Sequence, residues 1–309
     1  MTTHLYSHPS CVGHDPGPMH PECPDRLRSV LDGLNDEAFR TLQRCEAPEI
    51  DLRTVEMVHQ PYYVEKIIEN VPASGRVHLD PDTAMSPQSG EATRRASGAA
   101  VEAVDRVMAG DATNAFCAVR PPGHHAESSK AMGFCLFNSA AIAAFHARSA
   151  HKLDRVAVID FDVHHGNGTQ HSFENEPNLF YGSSHQWPAY PGTGQEDETG
   201  CADNIWNVPL APGSGSVEFR RGYEKRILPA LREFAPDLLI ISAGFDAHDR
   251  DPLAQLRVQT EDYGWVTEQL LDVAAECCDN RVVSLLEGGY DLTALRESVQ
   301  EHVKVLIAA

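Results

Sequence analysis

The sequence has no long apolar run. Nothing approaches the roughly 18 consecutive apolar residues of a membrane-crossing helix, so a transmembrane helix is excluded and no membrane partner is expected. Basic residues are scarce: 25 Lys+Arg stand against 45 Asp+Glu, a formal net charge of −20. A chain without clustered Lys/Arg is a poor binder of the phosphate backbone, so no nucleic-acid partner is expected. The charge is compatible with a cationic partner, although solubility alone explains it. Eight cysteines are present, but none forms a CxxC pair, which removes the zinc ribbon and the thioredoxin-type motif. The opening residues MTTHLYSHPS lack a charged-then-apolar leader, so reduced thiols and a cytoplasmic protein are expected. There is no repeat, low-complexity tract or long linker.

What is present is a soluble globular composition, 42% hydrophobic and 23% charged, in 309 residues. Short apolar runs alternate with amphipathic stretches, the pattern of an α/β fold. The runs 155–160 (RVAVID), 237–242 (DLLIIS) and 281–286 (RVVSLL) read as buried parallel strands. Helical spacing covers 90–109, 138–150, 217–234, 261–278 and 292–307, with Asn138 as an N-cap and Pro229 interrupting the third. Segments 70–90, 120–137 and 185–215 read as long loops, and long loops in a compact domain are usually functional or disordered. One domain over 1–309 is expected.

Chemistry-bearing residues follow the three strands. After the first come Asp160, Asp162, His164 and Asn167. A carboxylate and an imidazole two residues apart share a face in extended chain and supply two-thirds of a catalytic zinc site. Asp-x-His alone is more often an incidental loop. After the second strand comes Asp246, at the strand end where open α/β sheets bind ligands. Alone it reads as a turn or cap residue. Together they make an Asp/His/Asp set with one coordination position left for water, the pattern of a hydrolytic metal site. After the third strand comes Glu287-Gly288-Gly289-Tyr290, where a phenol beside a metal could donate to a developing oxyanion, or simply pack. Arg120-Pro121-Pro122-Gly123 leads into the tandem His124-His125. A neutral imidazole there could carry a proton from water to a leaving amine, although most adjacent histidines are merely exposed or structural. The aromatic segments 133–138 and 185–194 could wall an apolar tunnel suited to an aliphatic chain with a terminal amide, or belong to the core.

In this order and spacing, from His20-Pro21-Glu22-Cys23-Pro24-Asp25-Arg26-Leu27 to Leu286-Glu287-Gly288-Gly289-Tyr290, the segments resemble the histone deacetylase superfamily of zinc-dependent amidohydrolases. The resemblance implies an open, mainly parallel sheet flanked by helices, the arginase/deacetylase fold. It implies zinc on Asp162, His164 and Asp246, and His125 as general base and acid. His124 would tune the electrostatics, with Asp160 as its acceptor, and Tyr290 would stabilise the oxyanion. It further implies potassium held by Asp160, Asp162, His164, Ser183 and Ser184, partly through backbone oxygens. Substrate contacts fall to Phe134, Tyr190, Gly133, Gly288, Leu253 and the rim residue Asp82.

Asn167 stands where class I relatives carry Asp. With Glu287 it is similar to the class II branch and its bacterial relatives. Tyr290 is kept, so a competent deacetylase is expected. An acylated lysine peptide or small acylated amine is the implied substrate. Leu253, after Asp251-Pro252, is apolar where polyamine specialists of class IIb carry an acid. An acetylpolyamine or small-metabolite amidohydrolase is the alternative, and a non-catalytic acetyl-amide binding module a further one. An arginase-like di-manganese site lacks its motif. The sequence leaves open the oligomeric state, homo-oligomers included, and zinc against iron.

Overall fold

The computed structural model describes residues 2–309. Its strands are β1 (Thr3–Ser7), β2 (Gln43–Glu46), β3 (Val77–Asp80), β4 (Thr83–Met85), β5 (Asn114–Cys117), β6 (Val156–Asp160), β7 (Leu179–Gln186), β8 (Ile205–Leu210), β9 (Leu238–Ala243) and β10 (Val282–Leu286). Eight of them form one sheet in the order β2-β1-β5-β10-β9-β6-β7-β8, and every pairing in it is parallel. This is the α/β architecture expected, with helices flanking the sheet. Strands β6, β9 and β10 are buried throughout, as their continuous Val/Ile/Leu runs require when both faces are covered.

The helices start and stop close to where the spacing puts them. Asn138 caps Ser139–His151, its side chain accepting from the Ala141 amide. The stretch around Pro229 is broken as expected: Ser216–Gly222 passes through a wide π-turn at Tyr223–Ile227 into Leu228–Phe234. Proline has no N–H to give to that ladder. Ser89–Ala109 packs on Ser139–His151, and Thr260–Cys277 on Leu292–Ala308. Buried His302 joins the last helix to the sheet, bonded to Thr267 Oγ1 at 2.6 Å and Ser284 Oγ at 2.8 Å.

Two expected loops contain sheet. Segment 70–90 carries the antiparallel hairpin β3–β4, and segment 185–215 carries the whole of β8. Both strands of that hairpin are too short to show a period, and β8 includes Asn207 and Pro209 on a sheet edge, where proline's missing donor costs no ladder bond.

The registers position the site. Asp160 of β6 lies level with Ser242 of β9 and Ser183 of β7, and Leu286 of β10 level with Ala243 of β9. The loops after β6, β9 and β10 therefore leave the same sheet edge side by side. The 120–137 loop joins them after β5.

Candidate functional site

Asp162, His164 and Asp246 meet at that edge, with one donor atom of each within 4.8 Å of the others. His164 Nδ1 lies 3.2 Å from Asp162 Oδ1 and 3.1 Å from Asp246 Oδ2. They sit in loop rather than extended chain, so backbone bonds, not strand alternation, aim them. Asp162 Oδ1 accepts from the His164 amide at 2.9 Å, Asp162 Oδ2 from Gly288 at 2.8 Å, and Asp246 Oδ1 from Val163 at 2.8 Å. The glycines are a steric requirement: a Cβ on Gly288 would lie 2.3 Å from Asp246 Oδ2 and 2.5 Å from Asp162 Oδ2.

The charge balance asks for a cation. Burial and the neighbouring Asp162 push Asp246 up to about 7. Burial alone would lower the His164 imidazole, yet the two carboxylates drive it up to about 10. Two buried carboxylates and an imidazole converging in this way are a donor set that fits a divalent ion of the zinc type. A second grouping, Asp105, His146 and His151, is half-buried on the helices. There both imidazoles converge on the single oxygen Asp105 Oδ1, at 2.7 and 2.6 Å, as hydrogen bonds to a shared acceptor do.

The His124 and His125 rings lie with centroids 4.0 Å apart and planes tilted by 43°, but their partners differ. His124 Nδ1 lies 2.9 Å from Asp160 Oδ2, the bond expected between them. Asp160 is held in turn by the Tyr181 hydroxyl at 3.0 Å and the Asp162 amide at 3.0 Å. Burial opposes a charge on His124, but the Asp162 and Asp160 carboxylates outweigh it and hold the imidazole well above its ordinary value. His125 bonds Asn167 Oδ1 through Nδ1 at 2.7 Å. Burial, and then the charges of His124 and His164, keep it well below its ordinary value. The surroundings thus favour the charged form of His124 and the neutral form of His125, a difference that follows from environment.

Tyr290 stands on the turn after β10. Burial holds its phenol well above the ordinary value, against the pull of Arg26, so the proton stays available for donation. The Arg26 guanidinium lies 4.8 Å from the ring centroid and donates to the carbonyls of Glu287 and Gly289, each at 2.5 Å. Asp251 accepts from the Tyr290 amide at 2.7 Å and the Leu253 amide at 3.0 Å. Glu287, pushed up to about 7 by burial, accepts from the Gly123 amide at 2.6 Å and the His124 amide at 3.2 Å, tying the histidine loop to β10.

The rim follows. Phe134 is edge-on to Tyr290 at 5.9 Å and to His20 at 4.7 Å, and Tyr190 is edge-on to His125 at 5.1 Å and to His164 at 6.2 Å. Asp82, in the β3–β4 turn, accepts from the Gly133 amide at 3.2 Å, which places it beside Phe134. Leu253 is 39% exposed. Ser183 and Ser184 are buried on β7, but their hydroxyls bond His185 Nδ1 and the Tyr223 hydroxyl, leaving the backbone oxygens as their candidate cation donors. Arg26, Asp251, Glu127 and Tyr181 were not singled out from sequence. Arg26 and Asp251 lie inside the motifs that carry the resemblance, and Glu127 follows the histidine pair by two residues, so position was the available signal.

Comparison with known proteins agrees with this fold. The histone deacetylase domain model matches residues 20–306. The chain is 37% identical over 323 residues to Histone deacetylase 14, chloroplastic, of Arabidopsis thaliana, covering 98% of this chain and 76% of that protein. It is 37% identical over 289 residues to the Histone deacetylase-like amidohydrolase of Pseudomonas aeruginosa, covering 91% of this chain and 74% of that one. A crystal structure of the HDA15 HD domain superposes with a TM-score of 0.93 at 34% identity, covering 99% of this chain and 88% of the other. No helix among the described residues is long and apolar enough to cross a membrane. With a family model spanning most of its length and relatives of this identity, the chain belongs to the histone deacetylase family of hydrolases.

Proposed function

We propose that the protein is a zinc-dependent amidohydrolase that removes acetyl or other acyl groups from acyl-lysine. The observation that supports this most is the placement of His125 beside the Asp162/His164/Asp246 donor set, the His125 and His164 rings lying 6.0 Å apart. Asp162, His164 and Asp246 would hold the zinc ion, which when bound polarises the acyl carbonyl and acidifies water. His125 Nε2 takes the proton from the attacking water and returns it to the departing amine. His124, bonded to Asp160, tunes the electrostatics as negative charge develops, and the Tyr290 hydroxyl donates to the oxyanion. Phe134 and Tyr190 hold the aliphatic stem and exclude water, with Gly133 and Gly288 close to the amide and Asp82 and Leu253 at the rim. Potassium would fall to Asp160, Asp162, His164, Ser183 and Ser184, through backbone oxygens at the serines. One catalytic domain accounts for these roles, and eight free thiols are in keeping with a cytoplasmic setting.

Leu253 offers no charge to a polyamine's secondary ammonium, which favours acyl-lysine over that alternative. The test is acetate release from a fluorogenic acetyl-lysine peptide, acetylated polyamines and longer acyl chains, by zinc-loaded protein with and without a hydroxamate. Turnover of the peptide, blocked by hydroxamate, is expected. Hydroxamate binding without acetate release from any acyl amide would mean a binding module instead. Gly288→Ala is expected to weaken zinc binding by about 10- to 100-fold, since its methyl would displace both carboxylates, and competitive chelator titration measures this.

A further inference from the structure

Asn167, at the position where the resemblance implies Asp in class I relatives, turns an uncharged amide to His125, and a carboxylate stands directly behind that amide. Asn167 opens the helix Asn167–Phe173. Its Oδ1 faces His125 Nδ1, while its Nδ2 donates to the His125 carbonyl at 3.2 Å and to Glu127 Oε1. One turn further on, His171 Nδ1 lies 2.8 and 2.9 Å from the two oxygens of the same carboxylate. Glu127 is therefore bracketed by two residues of one helical face, four apart. Its side chain is 21% exposed, and that of His171 is 44% exposed.

This arrangement fixes the direction of every bond. Glu127 and the His125 carbonyl only accept, so the amide of Asn167 must present its NH₂ to them and its oxygen to His125. An oxygen facing Nδ1 requires that Nδ1 carry the hydrogen, which leaves the Nε2 lone pair free. The anionic carboxylate also polarises the amide, and so raises the negative charge on the oxygen that His125 meets. We propose that Glu127 is a positioning residue for the base. Acting through the Asn167 amide, it sets the tautomer of His125 and supplies, one residue removed, the negative charge that Asn167 lacks. This rests on the reading of His125 as the base.

Two measurements test it. Glu127→Gln should lower kcat about tenfold with KM and hydroxamate affinity unchanged, because Gln can present an NH₂ and release the Asn167 amide to turn over. Asn167→Asp alone should also lower kcat, by setting two carboxylates against each other. The double variant Glu127→Gln/Asn167→Asp should recover towards wild type, with the new carboxylate facing His125 and the new amide donating to it. An unchanged kcat in Glu127→Gln, or simple additivity in the double variant, would overturn the role. The tautomer is read without substrate by long-range ¹⁵N–¹H NMR of the metal-loaded protein, with His125 assigned through His125→Gln. A single Nδ1–H form in wild type and a mixture in Glu127→Gln are expected. The same form in both would overturn the proposal even if no acyl amide were turned over, whereas absent turnover with the expected NMR change would sink only the reading of His125 as a catalytic base.

Discussion

Tyr290→Phe is expected to lose about 10²- to 10³-fold in turnover while keeping its zinc and its fold. That range is typical for removing one oxyanion donor from a preorganised site. The variant removes a single oxygen. The ring keeps its edge contact with Phe134 and its place under the Arg26 guanidinium, and the backbone keeps its bond to Asp251. A phenol that stays protonated well above its ordinary range has a proton to donate throughout the working pH range. Because that bond strengthens only as charge reaches the carbonyl oxygen, kcat and kcat/KM should fall together. Steady-state kinetics beside metal analysis decides the matter, and unchanged turnover at full zinc occupancy would remove Tyr290 from the chemistry.

The fold was legible where physics is local and strong. β6, β9 and β10 are buried on both faces, so their apolar runs could be read as strands, and each ends within a residue or so of its expected limit. β1, β2 and β5 were missed because sequences such as THLYS, QRCE and NAFC carry no period, and their pairing depends on neighbours distant in sequence. Histidine count was a poor guide for the same reason. His59, His185 and His302 are buried and neutral, and each meets bonding partners of its own, so much of the excess is structural. The site was legible as motifs in order, but the bonds that aim it were not. Nothing in the sequence says that Glu287 grips the amides of Gly123 and His124, or that Glu127 reaches Asn167.

The same gap hides a residue whose loss should cost much stability. Glu22→Ala is expected to destabilise the protein by about 3–5 kcal/mol, the usual penalty for stranding buried charge. Glu22, Arg26 and Arg120 are all fully buried. Glu22 accepts from Arg26 at 2.9 Å and from Arg120 at 2.7 Å, with a further contact from Arg120 Nε, and His14 Nε2 lies 3.4 Å away. Burial would raise this carboxyl, but Arg120 and His14 outweigh it and hold it well below its ordinary value of 4.5. Its contribution should therefore be complete above that pH and fade as the pH falls towards the lower folded-state value. Removing it leaves two guanidiniums facing each other out of reach of water. Arg120 would retain the Cys11 and His14 carbonyls, and Arg26 those of Glu287 and Gly289. Arg26 is thus both a member of the strained pair and the support of the Tyr290 turn, so the surviving folded protein should also lose turnover. Urea unfolding midpoints at pH 7 measure the first effect, with Glu22→Gln, which keeps an accepting oxygen, falling between wild type and Glu22→Ala. A Glu22→Ala protein within about 1 kcal/mol of wild type would show that the two arginines find other counter-charge, such as the acids around Asp246, and that Glu22 is dispensable to the fold.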